Sequence, residues 1–286
     1  MSVPQPGSEY KGPTDLVIVC CHATYIGDGS GNPSPPVDER QWILAPFQQS
    51  SASSIGVGEQ ETFIQHAIQG LHAARRRDTM VVFSGGMTAS DRVSEARSYR
   101  DALSDYIETG LLSQYTDNRE ALDSIVCEEW ATDSYQNLLF SVLKFRQHHR
   151  RYPRNVTVIT HAFKAPRFLD LHAPAIKWPA DRIRVQGMNP PFTAAELAET
   201  EAGERERGYA LFVNDPYGVM SPLADKRQQR RWEEELALKS IGIGEGVLEA
   251  EVESLLRWKG GQSGREIFPV TEGELTWPFS SEIKLP

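Results

Sequence analysis

Asp15-Leu-Val-Ile-Val-Cys-Cys-His22 decides how this chain is read. Six apolar residues, Leu16 to Cys21, stand unbroken between an acid and a histidine. A strand with one wet face alternates apolar and polar residues. An unbroken run marks a strand buried on both faces, as in a parallel sheet covered by helices. Three more short runs have the same character: Thr79-Met-Val-Val-Phe83, Ser124-Ile-Val-Cys127 and Asn155-Val-Thr-Val-Ile-Thr160. Arg182-Ile-Arg-Val-Gln-Gly187 is a fifth candidate.

Helical patterns lie between them. Phe63, Ala67, Ile68 and Leu71 share one face of residues 59–76, and Val93, Ala96, Tyr99, Leu103 and Tyr106 one face of 91–108. Tyr135, Leu138, Leu139, Val142 and Phe145 do the same across 132–150, and a short helix is expected over 164–172. Such spacings are the 3.6-residue period of a helix with one buried face. Strand and helix in alternation predict an α/β protein with a Rossmann-like three-layer fold and a mainly parallel sheet. Helical stretches over 193–214, 222–238 and 247–258 predict a helical C-terminal extension packed on that core. The expected organisation is an extended or disordered arm over 1–13, a core over 14–190 and the extension over 191–286.

Composition narrows the function. Thirty Lys+Arg against 39 Asp+Glu give a formal charge of −9. Nucleic-acid binders usually carry a basic face, so no nucleic-acid partner is expected. A small basic pocket inside an acidic shell remains compatible with the count. The longest apolar runs are far below the ~20 residues a membrane helix needs, so no membrane partner is expected either. The polar, Pro/Gly-rich start does not read as a secretory signal, and three cysteines form no disulfide framework. A cytoplasmic location follows as the expectation. P-loop, G-x-S-x-G and H-E-x-x-H patterns are absent, which argues against the corresponding enzyme classes. Histidine spacing suggests no metal site.

In open parallel sheets, ligands sit outside the carboxyl ends of the strands, where strand order reverses. The residues just after each strand are therefore the candidates. His22 follows the first. Ser84-Gly85-Gly86, Thr88 and Glu95 follow the second. The paired glycines allow close approach of the backbone and positive φ, and the helix behind them would offer N–H groups to an anion. Glu129, Asp133, Ser134 and Asn137 follow the third strand, and His161, Lys164 and Arg167 the fourth. Lys164 and Arg167 form a small basic cluster suited to phosphate or carboxylate. Glu129 and His161 are the catalytic candidates, as an acid–base pair. The basic run Lys226-Arg-Gln-Gln-Arg-Arg231 reads by default as a solvated helix face, with a reach toward an anionic ligand as the alternative.

These turns, in this order, resemble the YdcF/SanA/ElyC-like family of domains of unknown function. The matching residues are Ser84-Gly85-Gly86, Ser94-Glu95-Ala96, Glu129, Ser134 to Asn137, and Val158-Ile-Thr160 with Arg167. The C-terminal part, with Asp215-Pro-Tyr-Gly218 and Lys226-Arg227, is similar to the longer fungal-type members. The resemblance implies a Rossmann-like fold and a nucleotide-like ligand, S-adenosylmethionine among the candidates. The combined expectation is a small anionic molecule bound at the strand ends, with transfer or hydrolysis on it left open. Two alternatives stay open as well: an acid–base enzyme acting on a small acidic metabolite without a nucleotide, and a non-catalytic scaffold.

Overall fold

The computed structural model describes residues 12–89, 92–112, 118–244, 246, 248–269 and 277. Most of the expected N-terminal arm lies outside the described residues. In chain order the elements begin with β1 (Asp15–Cys20), a two-residue hairpin of β2 (Thr24–Tyr25) and β3 (Trp42–Ile43), and α1 (Gln60–Ala74). Then come β4 (Thr79–Ser84), α2 (Glu95–Glu108), α3 (Asn118–Ser124), β5 (Val126–Glu128), α4 (Ser134–His149) and β6 (Asn155–Thr160). A π-helical stretch over Arg167–His172 runs into the short α5 (Ala173–Ala175), and β7 (Ile183–Gly187) completes the sheet. The extension supplies α6 (Ala194–Glu204), α7 (Ala210–Asn214), α8 (Leu223–Gln229), α9 (Glu234–Ser240) and α10 (Ala250–Leu256).

The main sheet is α/β, Rossmann-like and wholly parallel, in the order β5-β4-β1-β6-β7. Its central strand explains the opening run. Leu16, Ile18 and Cys20 face one apolar cluster, and Val17, Val19 and Cys21 the other. Successive strand side chains point to opposite faces, so both sets are apolar only when both faces are covered. On one side α1, α2 and α3 bring Phe63, Leu71, Tyr99 and Leu122. On the other lie α4 and the extension, whose Phe212, Leu238, Val252 and Leu255 join Leu139 and Phe145 in one cluster. The C-terminal helices therefore share the core of the sheet. No helix among the described residues is long and apolar enough to cross a membrane.

Several boundaries differ from expectation. The third strand starts two residues later and ends on Glu128, because Ile125 closes the turn of α3 by donating to the Leu122 carbonyl at 3.1 Å. The second long helix starts at Glu95, where Ser94 accepts the Arg97 N–H as N-cap. The stretch expected as one helix over 164–172 is a 3₁₀ turn, Ala162–Lys164, followed by the π-helical stretch.

Chain order places the site. From β1 the chain steps outward to β4 and β5, then returns to β6 on the other side of β1. The reversal lies between the carboxyl ends of β1 and β6, which is where a doubly wound sheet leaves a crevice.

Candidate functional site at the strand reversal

A cleft of about 610 Å³ opens over that reversal. All four strand-to-helix turns reach it: His22 after β1, Thr88 after β4, Asp133 and Ser134 after β5, and His161 and Lys164 after β6. Glu95, Asn137 and Arg167 line it as well. The loop 44–59 closes one side with Phe47, Gln48 and Glu59, fastened to α6 where Glu196 accepts the Ser54 N–H at 2.7 Å.

Ser84, Gly85 and Gly86 do not form the expected anion cradle. The Gly85 N–H donates to the Glu128 carbonyl at 3.0 Å and the Gly86 N–H to the Ala131 carbonyl at 2.7 Å. Their own carbonyls accept from Ala96 and Glu95, each at 3.0 Å. Neither glycine has positive φ. Glycine is required here because a Cβ on Gly85 would stand 2.9 Å from the Glu95 Cβ, and one on Gly86 2.9 Å from the Ala131 carbonyl oxygen. The close approach is between two turns of the protein. Ser84 is fully buried and donates to Glu128 Oε2 at 2.6 Å.

The pairing of Glu129 with His161 is likewise overturned. Glu129 lies outside the cleft, 2.8 Å from the Arg97 guanidinium, and accepts from Ser94 Oγ at 2.8 Å. Burial alone would raise its pKa, but these donors carry it below the usual value. The carboxylate facing His161 is Glu59, with Oε2 3.8 Å from Nε2. His161 is 1% exposed, and neither ring nitrogen has a hydrogen-bond partner among the described residues. Its ring is stacked between His22 and Phe163, each at 4.8 Å between centroids.

Cations and acids then divide the cleft. Lys164 Nζ lies 3.3 Å from His22 Nδ1. Arg167 is paired with Glu204 at 2.8 Å and Arg227 with Asp133 at 2.7 Å. The basic run on α8 reaches over the core: Lys226 and Arg230 line the cleft, and Arg230 donates to the Thr132 carbonyl. Among the described residues no carboxylate pairs with Lys164, Lys226 or Arg230. Burial, with Arg167 nearby, lowers Lys164 to about 8. Burial pushes Glu59 and Glu95 up to about 7, against the pull of Lys164 on both. Burial also holds His22 and His161 well below the ordinary histidine range, so both rings are neutral at pH 7. The cleft can therefore hold an anion beside groups that exchange protons near neutrality.

Glu59 and Gln48 carried no sequence signal, since a loop fold brings them in. Lys226 and Arg230 did carry one, as the charge run. Among the described residues no group of three or more His, Cys, Asp or Glu is placed to hold a metal ion.

No protein-family model matches the chain. It is similar to an uncharacterized protein of Saccharomyces cerevisiae, YOR238W, with 29% identity over 259 residues, covering 76% of this chain and 83% of the yeast protein. Among solved structures, the Legionella pneumophila effector Ceg4 aligns with 71% of this chain and 99% of its own, at 11% identity and a TM-score of 0.32. So weak a likeness bears on neither fold nor site.

Proposed function

We propose that this chain binds a small, nucleotide-like anionic molecule in the cleft at the strand reversal and supports transfer or hydrolysis on it. One observation carries the reading. Lys164, Lys226 and Arg230 converge on the cleft without carboxylate partners among the described residues, in a chain of formal charge −9. Lys164 is half-buried, and a cation set inside a cavity without a carboxylate calls for an anion from outside; Lys226 and Arg230, exposed at the rim, add positive charge to the same opening. The aromatic side chains of Phe47, Phe163 and Phe192 on the same cleft suit a flat ring on that molecule. S-adenosylmethionine stays among the candidates.

Membership of the YdcF-like family belongs to the same proposal. It is supported by Glu95, Ser134, Asn137 and Arg167, four of the residues that carry the resemblance, meeting at one cleft. A cytoplasmic setting is supported by Cys20, Cys21 and Cys127, all free thiols.

The test is thermal denaturation with inorganic phosphate, nucleotides, S-adenosylmethionine and phosphosugars. A ligand at 100 times its Kd stabilises by about 2.7 kcal/mol. That shift should vanish in Lys164→Ala. A shift of equal size in the variant would remove the reading.

A second reading, acid–base chemistry on a small acidic metabolite, rests on Glu59 facing the unpartnered His161. Glu59→Gln should then abolish turnover and spare binding; undiminished turnover would dismiss it.

A further inference from the structure

Ser134 and His172 make a contact that neither reading uses. Ser134 opens α4 and lines the cleft, and its Oγ lies 2.7 Å from Nε2 of His172. His172 closes the π-helical stretch and is fully buried. Three aromatic rings grip it edge-on: Phe212 at 4.6 Å and 85°, Phe168 at 5.4 Å and 89°, and Tyr135 at 6.0 Å and 71°. A nucleophile and its base need hydrogen-bond reach and a fixed base orientation. Here packing fixes the ring. π-Helical distortions recur at functional sites, and this one contributes both Arg167 and His172.

The surroundings suit bond cleavage. Burial, with Arg167 and Arg227 close by, holds His172 well below the ordinary histidine range: the ring is neutral at pH 7 with a lone pair free for the Ser134 proton, and the same surroundings make it a weak base. The N–H groups of Ser134 and Tyr135 have no acceptor within α4, while Asp133 takes that of Gln136 at 2.9 Å. Donors at the start of a 16-residue helix favour a developing oxyanion. Arg167 and Arg227 are each already paired with a carboxylate. The reacting centre is therefore fitted to an uncharged carbonyl, and the unpaired Lys164, Lys226 and Arg230 to an anionic handle further along the molecule.

We propose that Ser134 is a nucleophile with His172 as its base, and that the cleft cleaves a carboxylic ester in a small molecule bearing an anionic handle. Only the handle rests on the anion-binding reading above. The Ser134 Oγ forms a bond to the carbonyl carbon as its proton passes to His172 Nε2. Collapse of the oxyanion breaks the acyl–oxygen bond, and the leaving alkoxide takes the proton from His172. Water, deprotonated by the same imidazole, attacks the Ser134 ester, releasing the carboxylic acid and restoring the hydroxyl. No carboxylate backs His172 Nδ1, which has no hydrogen-bond partner among the described residues. Loss of that backing costs a full triad about 10⁴-fold, so covalent labelling is a better readout than turnover.

The full chain is incubated with a fluorophosphonate and, separately, with p-nitrophenyl acetate, and adducts are mapped by peptide mass spectrometry. One adduct on Ser134 is expected, absent from Ser134→Ala and formed about 100-fold more slowly by His172→Asn. Melting temperatures of both variants are followed in parallel. No Ser134 adduct from either reagent, or labelling at an unchanged rate in a folded His172→Asn, overturns the nucleophile. The phosphate-induced shift of the wild-type protein reports the handle separately, so its absence would overturn the anion reading and leave the labelling result standing.

Discussion

Lys164 Nζ sits 3.3 Å from His22 Nδ1, while His22 Nε2 sits 3.1 Å from Thr160 Oγ1. An ammonium can only donate. His22 Nδ1 therefore accepts, the ring proton is on Nε2, and Thr160 Oγ1 accepts from it. This run of hydrogen bonds joins the ends of β1 and β6 across the strand reversal and holds the Lys164 ammonium at the cleft. Burial, then Lys164 itself, holds His22 well below its ordinary pKa. Nitrogen NMR should find His22 neutral and protonated on Nε2 from pH 5.5 to 7.5. A ring protonated on Nδ1 would break the chain of donors as drawn.

Lys164 is expected to cost the empty protein stability. Burial and Arg167 disfavour its charge, and no carboxylate pairs with it among the described residues. A methionine of similar length keeps the packing and removes the charge. Lys164→Met should leave the ligand-free protein about 1 kcal/mol more stable in chemical denaturation, while losing the anion-induced shift. A destabilised variant would mean that the hydrogen bond to His22 Nδ1 outweighs the cost of burying the charge.

Glu95 gives a pH test whose sign can be worked out. Burial raises its pKa from 4.5 to about 7, with the Thr88 hydrogen bond opposing. The folded chain thus holds a proton between those values that the unfolded chain has released. The stability linked to this group is present below 4.5 and lost as pH rises through about 7. In the wild-type protein His22, His66, His161 and His172, all lowered by burial, work the other way as pH falls. Only the difference between variants isolates Glu95. The stability of Glu95→Gln relative to wild type should improve by about 2 kcal/mol from pH 5.5 to 7.5. A difference that is flat with pH would place Glu95 in an ordinary, solvated setting.

The sheet was legible because its strands are buried on both faces, and such strands advertise themselves as unbroken apolar runs. The hairpin of β2 and β3 has two residues per strand, too few for any period. α3 shows only Ala121 and Leu122 as apolar buried residues, too short a face to stand out. At the site, the four turns could be placed once the strands were known, but side-chain direction could not. Glu128 ends β5 buried in the sheet and Glu129 follows it outward to Arg97; neighbours on a strand point to opposite faces, so a shift of one position exchanges their roles. In sequence, Gly85 and Gly86 fit both room for a ligand and room for the chain's own backbone; the packing against Glu95 and the Ala131 carbonyl makes it the latter. The Ser134–His172 contact spans 38 positions and depends on how the π-helical stretch folds back, which no local pattern encodes.

One of the ties between the extension and the site runs through the Asp133 carboxylate. Asp133 Oδ1 accepts the Gln136 N–H at 2.9 Å and caps α4, while Oδ2 lies 2.7 Å from Arg227 Nε on α8. Both side chains are only 11–12% exposed, so removing one partner leaves the other with a desolvated charge. Asparagine caps a helix about as well as aspartate, so Asp133→Asn keeps the cap and removes only the pair. Arg227→Ala should cost about 2–3 kcal/mol in the wild-type background and clearly less in the Asp133→Asn background. A coupling of ~1.5 kcal/mol would measure how firmly α8, with Lys226 and Arg230, is held over the cleft. Strictly additive losses would show that the helix is placed by its apolar contacts alone, with Leu223 as the buried anchor.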